Sequence, residues 1–72
     1  MIEFITNLEA LLEMQPDTLK SDSLLKDIPS WDSMAVVGFL AMADATYGKS
    51  VAPAAILKCA TVSDLAALVG VS

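Results

Sequence analysis

The sequence predicts an all-α protein, a small four-helix bundle with a long loop between helices one and two. Apolar residues recur at the three- and four-residue spacing of an amphipathic helix, and no segment alternates polar and apolar residues as a half-buried strand would. The 72 residues are 56% hydrophobic, which is too apolar for a disordered tail. We therefore expect residues 1–72 to form a single small domain.

The first helix is predicted from Ile2 to Met14. Its apolar positions, three or four residues apart, are Ile5, Leu8, Leu11 and Leu12. Three acidic residues are expected on its solvent-exposed side, namely Glu3, Glu9 and Glu13. We interpret the last two as part of a solvated face rather than as a carboxylate pair for acid–base chemistry. Pro16 ends the helix, because proline disfavours helical geometry in the residue before it.

The segment from Pro16 to Trp31 is predicted to be a long loop held against the helices. Two prolines, three serines and mixed charges give it no helical period. Loops of this length inside a compact domain are uncommon and are usually functional or anchored. Four apolar residues are expected to anchor it: Leu19, Leu24, Leu25 and Ile28. A short helical turn is expected near Ser23–Lys26.

The second helix is predicted to start at Asp32–Ser33 and to run to Tyr47. Asp32 is a good N-cap, because its carboxylate can accept from the free amides of the first turn. Gly48 supplies a left-handed residue at the other end. The segment from Met34 to Ala43 contains no charged residue. Within it we expect Leu40 to be largely buried, as we also expect for Leu8, Leu12 and Leu65.

Two shorter helices complete the bundle. Pro53 is suited to a first helical position, which predicts a third helix over Pro53–Cys59. The fourth helix begins at Thr61, where the residues Thr61-Val62-Ser63-Asp64 form a capping box. Gly70 ends this helix.

The composition argues against several classes of function. The net charge is −5, with four lysines and no arginine, which disfavours nucleic-acid binding. The chain has no histidine, the commonest general base and zinc ligand, so we expect neither an enzyme nor a metal site. No apolar run is long enough to span a membrane, and the start Met1-Ile2-Glu3 predicts no signal peptide. The single cysteine, Cys59, suits a reducing cytoplasm.

Ser33 is the residue best placed to carry a functional group. It stands at a predicted helix start directly after a long loop, where free amides and the positive end of the helix dipole favour an anion such as phosphate. Taken alone, Asp32-Ser33 is more simply interpreted as an N-cap pair.

The order of these elements resembles an acyl carrier protein over nearly all 72 residues. The family motif is Asp-Ser-Leu, and here Asp32-Ser33-Met34 replaces leucine with methionine of similar volume. Ser30 stands where the family usually has a glycine two residues before the aspartate. The resemblance implies a four-helix bundle of acyl-carrier type, with Ser33 as the covalent attachment site of a 4′-phosphopantetheine group that comes from coenzyme A.

The resemblance also implies a role. A discrete carrier of this type holds acyl or aminoacyl groups as thioesters and presents them to separate enzymes of fatty acid, polyketide or nonribosomal peptide biosynthesis. The implied partners are a phosphopantetheinyl transferase and loading or condensing enzymes, and we expect a cytoplasmic monomer. The alternative is an unmodified helical protein–protein interaction module that keeps the carrier fold. A small hydrolase is strongly disfavoured by the missing histidine.

The second helix departs from carriers of primary fatty acid synthesis, in which it is rich in acidic residues. Here Asp44 is its only acid. Its extra apolar surface is either buried or faces a partner through Met34 and Val37, and the second alternative predicts a specialised pathway. Trp31 either contacts the partner or packs the loop end on the core. Cys59 is more simply a structural thiol than a reactive one.

Overall fold

The computed structural model describes residues 1–71 and contains four α-helices in that range. They are α1 (Ile2–Leu11), α2 (Ser33–Tyr47), α3 (Pro53–Leu57) and α4 (Val62–Leu68). A 3₁₀ turn at Leu25–Asp27 lies in the loop between α1 and α2. Residues 1–71 contain no β-strand, so the predicted all-α fold with four helices is confirmed. No helix in this part of the chain has both the length and the apolar character needed to cross a membrane.

Helix α1 ends at Leu11, three residues before the predicted Met14. Glu13 adopts a left-handed conformation with φ of 57°. The Met14 amide donates to the carbonyl of Glu9 at 2.8 Å, and the Glu13 amide donates to that of Ala10 at 3.2 Å. This pair of bonds is a Schellman motif, which usually has glycine in the left-handed position. The helix therefore ends before Pro16 has any influence on it.

The core is built around aromatic rings that meet edge-on or tilted. Phe4 from α1 packs edge-on against Phe39 from α2, with ring centroids 6.2 Å apart, and lies 6.0 Å from the ring of Tyr47. Phe4 was not among the predicted core positions, although it lies one turn before Leu8 on the same face. The largest fully buried side chains are Phe4, Phe39, Leu8, Ile56, Leu65 and Val62.

Glu9 is buried, with 5% of its surface exposed, and the prediction that it lies on the solvated side is wrong. Its Oε2 atom accepts hydrogen bonds from the Thr18 amide at 2.8 Å and the Leu19 amide at 2.9 Å. A carboxylate can be buried when such donors replace water. Glu9 therefore anchors the loop, whereas Glu3 and Glu13 are exposed as expected.

Three of the four predicted loop anchors are buried, namely Leu19, Leu25 and Ile28. Leu24 is 38% exposed, so its prediction as a buried anchor is wrong. The backbone there is what holds the loop, because Leu24 forms an isolated antiparallel bridge with Thr61. The Leu25 amide donates to the Ala60 carbonyl at 2.9 Å.

Loop carbonyls also occupy the start of α4. The Val62 amide donates to the Ser23 carbonyl at 3.1 Å, and the Ser63 amide donates to the Ser21 carbonyl at 2.9 Å. These are amides of the first helical turn, which have no partner within their own helix. The loop thus stabilises α4 at the same time as α4 positions the loop.

Helix α2 has the predicted bounds and buries one narrow stripe. Ala35, Phe39 and Ala43 face the core at four-residue spacing. Leu40 is only half-buried, so its prediction as a largely buried residue is wrong. Because nearly every position is apolar, the sequence could not distinguish Phe39 from Leu40 as the inward residue. Gly48 ends the helix with φ of 64°, as predicted.

The two remaining helices are present as predicted, except that α3 is shorter than expected. Helix α3 ends at Leu57, two residues before the predicted end at Cys59. The capping box of α4 is present: the Thr61 hydroxyl accepts from the Asp64 amide, and the Asp64 carboxylate accepts from the Thr61 amide. Thr61 is thus the N-cap, and Val62 is the first helical residue.

Candidate functional site

Ser33 is exposed and is the first residue of α2. Its neighbour Asp32 is the N-cap, and the Asp32 carboxylate accepts from the Ala35 amide at 2.9 Å. The Asp32 carbonyl accepts from the Val36 amide at 3.1 Å. Within residues 1–71, the amides of Ser33 and Met34 make no hydrogen bond. The Ser33 hydroxyl therefore stands beside two open donors at the positive end of the helix dipole.

The segment before Ser33 is a tight turn fixed to the core. The Trp31 amide donates to the Ile28 carbonyl at 3.0 Å, with Pro29 and Ser30 at the centre of the turn. Among residues 1–71, only Glu13 and Asp17 are non-glycine residues with positive φ. Ser30 therefore adopts ordinary backbone geometry, and this turn has no need of the glycine that the family usually places there.

Trp31 is half-buried and packs on the core from the loop side. Its ring meets Phe39 edge-on, with centroids 6.3 Å apart and an interplanar angle of 72°. Edge-to-face pairs of this kind are favourable beyond the area that they bury. The contact fixes the approach of the loop to Asp32 and Ser33.

A surface groove lies next to Ser33, between the end of α1 and the start of α2, and we call it the α1–α2 groove. Its volume is about 220 Å³. Its lining residues are Leu11, Leu12, Glu13, Ser30, Asp32, Met34 and Ala35. Ser33 itself lies between two of them in the chain. This groove could not be predicted from the sequence, because the sequence predicts that the first helix continues to Met14.

Two large apolar side chains of α2 are exposed near the site. Met34 is 76% exposed and Val37 is 61% exposed. Burial within the domain therefore does not account for them. Asp44, the only acid of α2, lies near the far end of the helix.

Cys59 and Asp64 do not line the groove, and both side chains make hydrogen bonds to nearby backbone. The Cys59 thiol is half-buried and donates to the Ala55 carbonyl at 3.5 Å. Burial, and secondarily the charge of Asp64, raise the pKa of this thiol, which lowers its reactive thiolate fraction. The amides of Ala60 and Thr61 lower the pKa of Asp64 by hydrogen bonding to its charged form. Residues 1–71 contain no group of three or more potential metal ligands.

The chain matches the family model of the phosphopantetheine attachment site over residues 4–69. It belongs to this family. The resemblance to acyl carrier proteins is thereby confirmed, and the chain is a phosphopantetheine carrier, in which 4′-phosphopantetheine is the covalently attached cofactor. Comparison with the curated proteins and with the solved structures found no significant match.

The surroundings of Ser33 fit a phosphopantetheine attachment site. A phosphodiester needs an accessible hydroxyl and hydrogen-bond donors for its anionic oxygens. Ser33 offers the hydroxyl, and the amides of Ser33 and Met34 offer the donors. No other helix start in residues 1–71 combines these features. Helix α1 begins with Ile2 and α3 with Pro53, neither of which has a hydroxyl, and loop carbonyls occupy the amides of Val62 and Ser63 in α4.

Proposed function

We propose that Ser33 is the residue that carries 4′-phosphopantetheine and that the protein presents acyl or aminoacyl groups on this arm to partner enzymes. The observation that supports this most directly is the exposed Ser33 hydroxyl beside two open amides at the start of α2, within the range matched by the family model. When bound, the arm supplies a terminal thiol that holds the cargo as a thioester.

The residues around Ser33 have separate tasks in this proposal. Asp32 caps the helix through the Ala35 amide, which keeps the amides of Ser33 and Met34 directed outward. These two donors hold the phosphate oxygens. Trp31, packed on Phe39, fixes the incoming loop so that the hydroxyl is presented at a constant position. Because the chain has no histidine, we assign loading and transfer chemistry to partner enzymes, namely a phosphopantetheinyl transferase and loading or condensing enzymes.

The attachment residue is tested by intact-mass measurement. The purified protein is incubated with coenzyme A and a panel of phosphopantetheinyl transferases. We expect one added phosphopantetheine per chain, and none on Ser33→Ala. Ser63→Ala is the matched control, since Ser63 is also an exposed serine in a first helical turn, and this variant should be modified like the wild type.

A wild-type protein that stays unmodified with the whole panel would overturn this proposal. It would favour an unmodified helical interaction module that keeps the carrier fold. Modification of Ser33→Ala would instead show that the arm is attached elsewhere.

The single-domain organisation of residues 1–72, the monomeric state and the cytoplasmic location stay predictions from the sequence.

We further propose that the partner enzymes belong to a specialised pathway and contact the exposed apolar residues of α2. Electrostatic steering toward a basic patch needs acidic residues near the docking surface and weakens as salt rises. Met34 and Val37 are exposed at the start of α2, whereas the only acid of this helix is Asp44. Among the residues of α2, apolar contact is thus the stronger source of affinity.

The pathway proposal is tested by loading the protein with a malonyl or acyl group and measuring turnover by fatty acid elongation enzymes. A standard acidic carrier is measured in parallel at low and high salt. We expect poor turnover of this protein with a weak salt dependence. Equal turnover of both carriers, with equal suppression by salt, would assign the protein to general fatty acid synthesis.

A further inference from the structure

We propose that the segment of the phosphopantetheine arm next to the phosphate lies in the α1–α2 groove, against the end of α1. The inference rests on the proposed attachment at Ser33. It assigns Leu11, Leu12 and Met34 as the residues that hold the arm.

The position of the groove supports this proposal first. Asp32 and Met34, the two chain neighbours of Ser33, both line it. Adjacent Cα atoms are about 3.8 Å apart, so any group bonded to the Ser33 hydroxyl starts at the edge of the groove. The opposite side is formed by Leu11, Leu12 and Glu13.

The charges of the groove select which part of the arm enters it. The Glu13 and Asp32 side chains line it, and both carry carboxylates that repel a phosphate. The phosphate therefore remains with the amides of Ser33 and Met34 outside the groove. The next segment of the arm is uncharged. It bears two methyl groups on one carbon, followed by a hydroxyl and an amide.

This neutral segment matches the chemistry of the lining. Its two methyl groups suit the apolar surface of Leu11, Leu12 and Met34. Its hydroxyl and amide N–H are donors, and the carboxylates of Glu13 and Asp32 are acceptors. The same carboxylates that exclude the phosphate are therefore complementary to the part of the arm that follows it.

The size of the groove limits how much of the arm it holds. Its volume of about 220 Å³ is below the range of about 300–1,000 Å³ that is typical of pockets for drug-sized ligands. This volume accommodates the branched segment and leaves the remainder of the arm outside. The thiol end thus stays available to partner enzymes while the base of the arm is held.

Gly38 shapes the apolar wall of the groove. A Cβ atom at this position would lie 2.8 Å from Cδ1 of Leu11, closer than side chains tolerate. The bare backbone of Gly38 therefore lets Leu11 lie directly against α2. A substitution at Gly38 would displace the Leu11 side chain without touching Ser33.

The test is NMR spectroscopy of the protein loaded with phosphopantetheine that is ¹³C-labelled at the two geminal methyl groups, after intact mass has verified the loading. We expect nuclear Overhauser effects from these methyl groups to the methyl groups of Leu11, Leu12 and Met34. In Met34→Ala, the relaxation rate of the arm methyl groups should fall about twofold as they gain mobility. Leu57→Ala is the matched control, since Leu57 is 80% exposed and Met34 76%, but Leu57 does not line the groove. This control should leave the rate unchanged.

The other results of this experiment would refute either the position of the arm in the groove or its attachment at Ser33. A loaded protein whose arm methyl groups show no Overhauser effect to these three residues refutes the groove and leaves attachment at Ser33 intact. Equal relaxation changes in Met34→Ala and Leu57→Ala also refute it. A wild-type protein that cannot be loaded at all refutes both the groove and the proposed attachment.

Discussion

The buried carboxylate of Glu9 provides the sharpest test of how the long loop is held. Its Oε2 atom accepts from two consecutive loop amides, those of Thr18 and Leu19. In Glu9→Ala both amides lose this acceptor. Leu19 is buried, so its amide cannot recover a hydrogen bond from water, whereas Thr18 is exposed.

The loss of stability in Glu9→Ala follows from the different environments of the two amides. A buried donor left unsatisfied costs about 1–3 kcal/mol, and a donor that water can reach costs about 0.5–1 kcal/mol. We therefore expect Glu9→Ala to lower the free energy of unfolding by about 1.5–4 kcal/mol. A domain of this length is stable by only about 4–11 kcal/mol, so the variant should be visibly less stable. Glu9→Gln keeps an oxygen acceptor but loses the charge, and it should cost about 1–2 kcal/mol.

Urea unfolding measures both variants, with Glu3→Ala as the control on the same helix. Glu3 is exposed, so its removal should change the free energy of unfolding by less than about 0.5 kcal/mol. Amide hydrogen exchange at Leu19 should quicken in Glu9→Ala and not in Glu3→Ala. If Glu9→Ala and Glu3→Ala unfold at the same urea concentration, Glu9 does not anchor the loop.

Three further perturbations have predictable results. Glu13→Gly should stabilise the protein by about 0.5–1 kcal/mol in urea unfolding, because it removes the strain of a left-handed residue, and Glu13→Ala should not. Leu8→Ala should cost about 2–5 kcal/mol, and Leu40→Ala less, because Leu40 is only half-buried; equal losses would contradict the placement of α2. The lowered pKa of Asp64 stabilises the fold above its unfolded value of about 4, and this stabilisation is lost as pH falls through the folded value. The difference in melting temperature between wild type and Asp64→Ala should therefore shrink on acidification, and a constant difference would contradict the hydrogen-bonding role.

The two ends of α2 and the start of α4 were the most predictable parts of the fold, because they depend on local capping chemistry. Asp32 and Gly48 bound α2 as predicted, and the capping box from Thr61 to Asp64 is present. Each of these signals acts within a few residues along the chain. The position of Ser33 at an exposed helix start follows from the same local rules.

Features that depend on distant contacts were not predictable. Glu9 has the residue type and helical spacing of a solvent-facing position, and only the loop that folds over it makes burial favourable. Leu24 has the residue type of a buried anchor, but its backbone rather than its side chain makes the contact with Thr61. The α1–α2 groove also escaped prediction, since it depends on the early end of α1 at Leu11.

The pairing of the loop with the start of α4 has a consequence for how the chain folds. The carbonyls of Ser21 and Ser23 meet the amides of Ser63 and Val62, which lie about 40 residues further along the chain. During synthesis, α1 and α2 leave the ribosome before α4 does, so the loop that leads to Ser33 lacks its hydrogen bonds to the start of α4 until α4 follows. In the nascent chain, Ser33 therefore follows a loop that is not yet held in place. The loop becomes fixed ahead of Ser33 only when α4 packs against it.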